Sequence, residues 1–316
     1  MKIVYVTGCL GFIGSYFTRK VLEEGWYVYG VDKCTYSSNK EYLSEFSKYD
    51  NFVFYNKDIN EIDYLNDCDF VVNFAAESHV DNSINNSEEF MKSNILGVKN
   101  LLDLVRNKHI NCVDRPTFVQ ISTDEVYGDI DSGFHTETDI LKPSNPYSAA
   151  KAAADMLVVA WSRTYDLNYI ILRPTNNYGI GQYPEKLIPL SIKNIYRNKK
   201  IKLHNNGTPV RTWLHVKDTA NAVFTAITIG RKNEIYNISG NYECKNIEVI
   251  QKICSYMKNV TVEGFVDFNY SRSGQDVRYA INSSKLMSLG WVPAADFDTE
   301  LEKIVSSTTE TSFFYE

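Results

Sequence analysis

The sequence predicts an α/β protein built on a doubly wound parallel sheet, with a smaller α/β domain attached. Short β-branched runs alternate with amphipathic helical stretches through the first half of the chain, the pattern that lays helices on both faces of a parallel sheet. A glycine run spaced in threes joins the first strand to the first helix. After Arg173-Pro174 the alternation loosens into loops containing Asn, Gly and Pro, which marks a change of architecture.

In chain order, strands are expected at residues 2–6, 27–31, 52–55, 70–73, 117–121 and 169–172. Helices are expected over 12–24, 88–108 and 147–164, where apolar residues recur at three- and four-residue intervals. Residues 212–227 read as a strand end followed by a helix and 234–238 as a further strand, both expected to return to the large sheet. The first domain is therefore assigned 1–173 together with 212–238, and the smaller one 174–211 and 239–316.

The 316 residues suffice for a substantial core, and 44% hydrophobic with 23% charged residues is the balance of a globular protein. Lys and Arg total 33 against 39 Asp and Glu, a net charge of -6, so no basic field draws nucleic acid. No run approaches the ~20 apolar residues of a membrane span, and none of the six cysteines stands in C-x-x-C or other metal-ligand spacing. A cytoplasmic protein with free thiols, no metal and no membrane or nucleic-acid partner is expected.

Thr7-Gly8-Cys9-Leu10-Gly11-Phe12-Ile13-Gly14 lies where a strand hands over to a helix. Glycines there let backbone approach a pyrophosphate, whose charge is stabilised by free N–H groups and the positive end of the helix dipole. Asp32 follows Gly14 by 18 residues at the end of the second strand, completing a Rossmann-like dinucleotide fingerprint. A carboxylate there accepts hydrogen bonds from a ribose diol and repels a 2'-phosphate, which favours NAD over NADP, although Lys33 beside it works the other way. Asp58-Ile59 is placed to meet the adenine edge, a spacing that fits a solvated loop acid equally well. Ala75-Ala76 after the fourth strand are small enough for a cofactor to lie against the sheet edge.

Tyr147 and Lys151 stand one helical turn apart on one face of a helix. A nearby cation favours phenolate, so such a tyrosine can exchange a proton with an alcohol near neutral pH. Ser122-Thr123-Asp124-Glu125 follows the fifth strand, whose carboxyl end faces the cofactor crevice of a doubly wound sheet. If burial and mutual repulsion separate the pKa values of Asp124 and Glu125, one serves as acid and the other as base; the bland alternative is an acid pair capping a turn.

These residues resemble the extended short-chain dehydrogenase/reductase family and, within it, the nucleotide-sugar 4,6-dehydratases of the dTDP-glucose 4,6-dehydratase type. The likeness covers nearly the whole chain. It rests on Gly8, Gly11 and Gly14, Val31-Asp32-Lys33, Ala75-Ala76-Glu77-Ser78-His79-Val80-Asp81, Ser122 to Gly128, and Tyr147 with Lys151. It continues through Asn176-Asn177-Tyr178-Gly179, Pro184-Glu185-Lys186-Leu187-Ile188-Pro189 and Arg211-Thr212-Trp213-Leu214. Epimerase relatives lack the Asp-Glu pair and GDP-mannose dehydratases carry Ser in place of the Asp, so Asp124 discriminates most.

The resemblance implies a redox-neutral elimination of water from a nucleotide-diphosphate hexose with tightly held NAD. Tyr147, aided by Thr123 and Lys151, would take the 4-hydroxyl proton. Glu125 would then abstract the C5 hydrogen while Asp124 protonates the departing C6 hydroxyl. By motif, Gly8, Gly11, Phe12, Ile13, Gly14, Asp32, Lys33, Thr35, Asp58, Ile59, Ala75, Ala76, Ser93, Tyr147, Lys151 and Asn176 would contact NAD. Ser78, Thr123, Asn177, Glu185, Lys186, Leu187, Arg211, Asn246 and Arg272 would line the substrate pocket, the two arginines as charge-assisted partners of a diphosphate. Relatives pair the helices at 88–108 and 147–164 into a four-helix contact, which implies a homodimer.

Arg272-Ser273-Gly274-Gln275-Asp276 departs from the usual Arg-Pro-Gly-His-Asp, and Pro174-Thr175 precedes Asn176 in place of commoner neighbours. Both touch the nucleotide end, which leaves dTDP-glucose and UDP-glucose open. A 4-epimerase is the alternative enzyme, since it needs NAD, Tyr147 and Lys151 but no acid-base pair. A non-catalytic NAD-binding protein is the alternative of another class.

Overall fold

The computed structural model describes residues 1–111, 116–257, 260–270 and 276–309. A seven-stranded sheet is formed by β1 (Ile3–Thr7), β2 (Tyr27–Asp32), β3 (Phe52–Asn56), β4 (Phe70–Asn73), β5 (Thr117–Ile121), β6 (Tyr169–Pro174) and, after intervening elements, Glu234–Ile238. The intervening strands are β7 (Asn176–Tyr178), β8 (Ile201–His204) and β9 (Val210–His215), which makes Glu234–Ile238 β10; β11 (Tyr242–Lys245) and β12 (Val266–Tyr270) follow. The order across the large sheet is β10-β6-β5-β4-β1-β2-β3, and every neighbouring pair is parallel.

Side-chain alternation along these strands divides the core in two. Val4, Val6, Val72, Val119, Ile170 and Leu172 face one side, where Phe17 and Val21 from the Phe12–Glu23 helix and Val223 and Ala226 from the Val216–Ile229 helix cover them. Tyr5, Val71, Phe118 and Ile171 face the other, beneath Leu101, Leu102 and Val105 of the Gly97–Asn111 helix and Ala154 and Val158 of the Pro146–Tyr165 helix. Burial on both faces is what near-continuous apolar parallel strands require.

A separate apolar cluster holds the smaller part together, with Ile188, Ile192, Trp213, Val249, Ile253, Phe297 and Leu301 at its centre. Around it lie a three-stranded sheet ordered β11-β9-β7 and the parallel pair β12-β8.

Two expectations are corrected. The segment from 212 does not return intact to the large sheet: β7 follows directly on β6 and pairs in parallel with Trp213–His215, which draws β9 into the small sheet. Only the Val216–Ile229 helix and β10 come back, the helix onto the first core and the strand beside β6. The continuous helix expected over 88–108 is interrupted; Glu88–Met91 is followed by a π-helical turn at Lys92–Leu96 before Gly97–Asn111. Asn94 in that turn clamps Glu77 from both sides, accepting from its N–H and donating to its carbonyl at 2.9 Å each. The extra residue in the turn lets Asn94 reach that loop while Ser93 lines the crevice described next.

Candidate active site

The carboxyl ends of β1 and β4 diverge where the strand order reverses, opening the crevice at which such sheets take ligands. Gly8 caps β1 with φ +68°, and a Cβ on it would fall 2.7 Å from the Ala75 nitrogen. A Cβ on Gly14 would fall 2.1 Å from the Gly8 carbonyl oxygen, so helix and loop meet this closely only through glycine. The following helix, Phe12–Glu23, has no side-chain cap at Gly11, which leaves its first N–H groups for an anion.

Asp32 is buried. Its Oδ1 accepts from the Cys34 N–H at 2.8 Å and the Ser38 hydroxyl at 2.7 Å, and its Oδ2 from the Leu10 N–H at 3.1 Å. Thus it braces the glycine loop, and Oδ2 keeps lone-pair capacity toward the crevice. Lys33 lies 3.8 Å from Asp58 Oδ2 and 3.5 Å from Glu77 Oε1. With its cation shared between two acids, the rim of this half stays acidic and repels a 2'-phosphate.

Gly8, Gly11, Asp32, Lys33, Thr35, Asp58, Ile59, Ala75, Ala76 and Ser93 line the half of the crevice over β2 and β3. Phe12, Ile13, Gly14, Asn176, Tyr147 and Lys151 line the adjoining half with Thr123, Asp124 and Glu125. The Asn176 Oδ1 is buried there without a hydrogen-bond partner. An orphaned acceptor and a glycine cradle that any side chain would fill fit a dinucleotide.

β5 delivers Thr123 as the cap of a 3-10 turn, Asp124–Tyr127, its hydroxyl accepting from the Glu125 N–H at 3.3 Å and donating to Asp124 Oδ1 at 3.2 Å. Opposite, Asn145 and Ser148 form a capping box around Pro146 that starts the Pro146–Tyr165 helix and fixes Tyr147 and Lys151 on its first turns. Asp124 is 3% exposed and its Oδ2 has no partner. Burial, then the Glu125 charge, pushes its pKa up to about 7. Burial also raises Glu125, against the opposing pull of Arg211 and an Asn145 hydrogen bond. Both carboxyls are therefore held above the usual carboxylate range, which a surface acid pair would not be.

Burial lowers Lys151 to about 8, with Asp155 pulling the other way, and its Nζ donates to the Ile121 carbonyl at 2.5 Å. Tyr147 is held above the usual phenol range by burial and then by Glu125, while the Thr123 hydroxyl lowers it. In the protein alone the Thr123 hydroxyl eases this phenol toward ionisation.

Of the expected substrate residues, Ser78, Thr123, Asn177, Glu185 and Lys186 share this cavity. Leu187 opens the Leu187–Tyr196 helix and packs into the second core instead. Arg211 is buried behind the acids, donating to the Val210 and Asp276 carbonyls at 2.7 and 3.0 Å and lying 4.3 Å from the Tyr279 ring centroid. There it acts on Asp124 and Glu125 as a cation held by backbone. Asn246 stands off the cavity wall, its N–H donating to the Pro209 carbonyl at 3.0 Å and its Oδ1 buried without a partner. Arg272 lies outside the described residues.

The sequence reading missed the groups that brace the acids. Asp276 accepts from the hydroxyls of Tyr279 and Ser144, and the Tyr279 hydroxyl lies 3.5 Å from Glu125 Oε2. Beneath the site, Asp155 Oδ2 accepts from Ser122 Oγ at 3.0 Å and Arg173 Nε at 2.9 Å. Arg173 Nη1 donates to the Tyr127 hydroxyl at 2.7 Å, which donates to Asn237 Oδ1 at 2.9 Å. The only sequence signal was Asp155 one turn beyond Lys151 on an otherwise apolar face.

Residues 5–304 match the family described as GDP-mannose 4,6 dehydratase. The low-salt glycan biosynthesis protein Agl12 of Haloferax volcanii is 41% identical over 96% of this chain and 97% of its own length. The dTDP-glucose 4,6-dehydratase of Haemophilus influenzae is 38% identical over 96% and 97%. Among solved structures, DesIV of Streptomyces venezuelae, a dTDP-glucose 4,6-dehydratase with NAD bound, superposes with a TM-score of 0.90 at 35% identity, covering 96% of each chain.

Proposed function

We propose a dTDP-hexose as the substrate of this chain, which belongs to the NAD-dependent nucleotide-sugar 4,6-dehydratase family. The observation that carries the chemistry is the buried Asp124-Glu125 pair opening into the same cavity as Tyr147 and Lys151. Bound NAD, lying along Gly8 to Gly14 and Asp32, would supply a reversible acceptor for hydrogen from C4 and its return to C6.

Tyr147, oriented by the Thr123 hydroxyl, takes the proton of the 4-hydroxyl, and Lys151, one helical turn along the same face, is the cation that would stabilise the charge once cofactor and sugar are bound. The resulting C4 carbonyl acidifies C5. Glu125 removes the C5 proton as base, and Asp124, protonated near neutral pH, donates to the leaving C6 hydroxyl, so water departs. Glu125, its proton exchanged with solvent water, afterwards reprotonates C5, giving the 4-keto-6-deoxy sugar nucleotide. Residues 1–173 with 212–238 carry most of the cofactor contacts in this scheme, joined by Asn176, and 174–211 with 239–316 the substrate side.

The preference for dTDP over UDP is supported by the names of the curated and solved relatives. Purified protein is incubated with dTDP-glucose and UDP-glucose in D2O. Deuterium at C5 of a 4-keto-6-deoxy product is the expected result with dTDP-glucose. A C4 epimer without C5 exchange would assign a 4-epimerase instead.

A homodimer in the cytoplasm completes the reading. Ile84, Leu96 and Met156 are 44%, 57% and 49% exposed, the last two on or beside the helices that would form a four-helix contact. No helix among the described residues is long and apolar enough to cross a membrane. Light scattering should give twice 36.2 kDa; a mass of 36.2 kDa at micromolar concentration overturns the dimer.

A further inference from the structure

The segment between β7 and the Leu187–Tyr196 helix borders the crevice. Gln182, Tyr183, Glu185 and Lys186 form one wall of the cavity whose other wall is the glycine loop. It is fastened to the cofactor side at separate points. The Tyr16 hydroxyl, from the Phe12–Glu23 helix, donates to the Ile180 carbonyl at 3.0 Å. The Tyr36 hydroxyl, four residues beyond Asp32, donates to Glu185 Oε2 at 3.1 Å, and its ring meets Tyr183 edge-on with centroids 5.1 Å apart. Gly181 packs against the Tyr42 hydroxyl, and Lys186 Nζ donates to Ser78 O and Oγ at 2.8 and 3.3 Å.

We infer that Tyr16 and Tyr36 are positioning residues that strap residues 180–186 across the crevice and so gate the entry and exit of the dinucleotide. A cofactor lying on the glycine loop sits under this segment, and leaving requires the segment to swing out with both tyrosine bonds broken. Neither tyrosine belongs to the acid-base machinery. Tyr36 is 53% exposed, so its hydroxyl is of little use to the core. The strap also has a chemical purpose. A reaction that takes hydrogen at C4 and returns it at C6 fails if the reduced cofactor escapes between the two steps, and the segment that holds it in is the same one that presents Glu185 and Lys186 to the sugar side.

The inference rests on NAD binding in the crevice and not on the identity of the sugar, so its test uses no sugar nucleotide. Holoenzyme loaded with radiolabelled NAD+ is chased with excess unlabelled NAD+, and association to stripped protein is followed by stopped flow, for wild type, Tyr16→Phe, Tyr36→Phe and the double variant. The double variant should release NAD+ about tenfold faster. Its association rate should rise as well, because a weakened gate opens more often in both directions, with Kd and Tm nearly unchanged. Release within twofold of wild type overturns the strap. Faster release with unchanged association overturns it too, since that pattern belongs to a direct cofactor contact. A fall in Tm that accompanies faster release assigns the tyrosines to folding and also overturns it. Wild-type protein that holds no NAD+ fails the cofactor reading itself, an outcome separate from these.

Discussion

The two halves of the cleft are made of different material. The half over β2 and β3 is built from backbone: glycines without side chains, a helix end without a cap, and an aspartate that braces the loop. The half over β5 is built from charged side chains withdrawn from water, Asp124, Lys151, Asp155 and Arg173 all being buried. A backbone site binds by shape and by fixed dipoles, which tolerate little steric change and are indifferent to pH. A site of buried acids works because its groups are held away from their ordinary pKa, so it depends on every neighbour that keeps them dry or paired.

The largest effect should come from the chemistry half. Asp124→Asn or Glu125→Gln should lower turnover by about 10²–10⁴-fold while NAD stays bound, measured by product formation and by cofactor content of the purified protein. Loss of NAD along with activity would erase the distinction between the halves. In the parent enzyme the acid Asp124 loses its proton as pH rises through about 7. The base Glu125, itself raised, is protonated as pH falls toward its shifted value. A kcat profile should therefore be bell-shaped, with its alkaline limb near neutrality and moved or removed in the Asp124→Asn variant.

Next in size is Arg173→Ala, which leaves Asp155 buried without its hydrogen-bonded guanidinium and should cost about 3–5 kcal/mol in urea denaturation. A loss below about 1 kcal/mol would mean the pair contributes as weakly as an exposed one. The smallest change in atoms tests the backbone half. Gly14→Ala places a Cβ against the Gly8 carbonyl, forces loop and helix apart, and should cost about 1–3 kcal/mol of stability. NAD affinity, read by titration calorimetry, should fall while the pH profile at saturating NAD keeps its shape.

The same contrast governs what could be read in advance. The strands of the large sheet and the glycine loop were legible because their signals are local: short β-branched apolar runs, glycine at fixed offsets, an acid at a strand end. The π-helical turn was not, because its cause lies in a contact between Asn94 and Glu77 that no helical periodicity records. Nor was the placement of β9, whose apolar pattern suits either sheet; pairing with β7 decided it. Arg211, expected at a diphosphate, is buried and held by two backbone carbonyls from different parts of the chain, a setting that no local signal in the sequence records.

What the sequence determined by itself was the cofactor-binding architecture and the inventory of reactive groups, since backbone geometry and helix spacing are set by residues a few positions apart. What only the tertiary structure decided was the state of those groups. Asp124 titrates near 7 because the folded chain removes water from it and sets Glu125 beside it, and desolvation is a property of everything that surrounds a residue, which no short stretch of sequence contains.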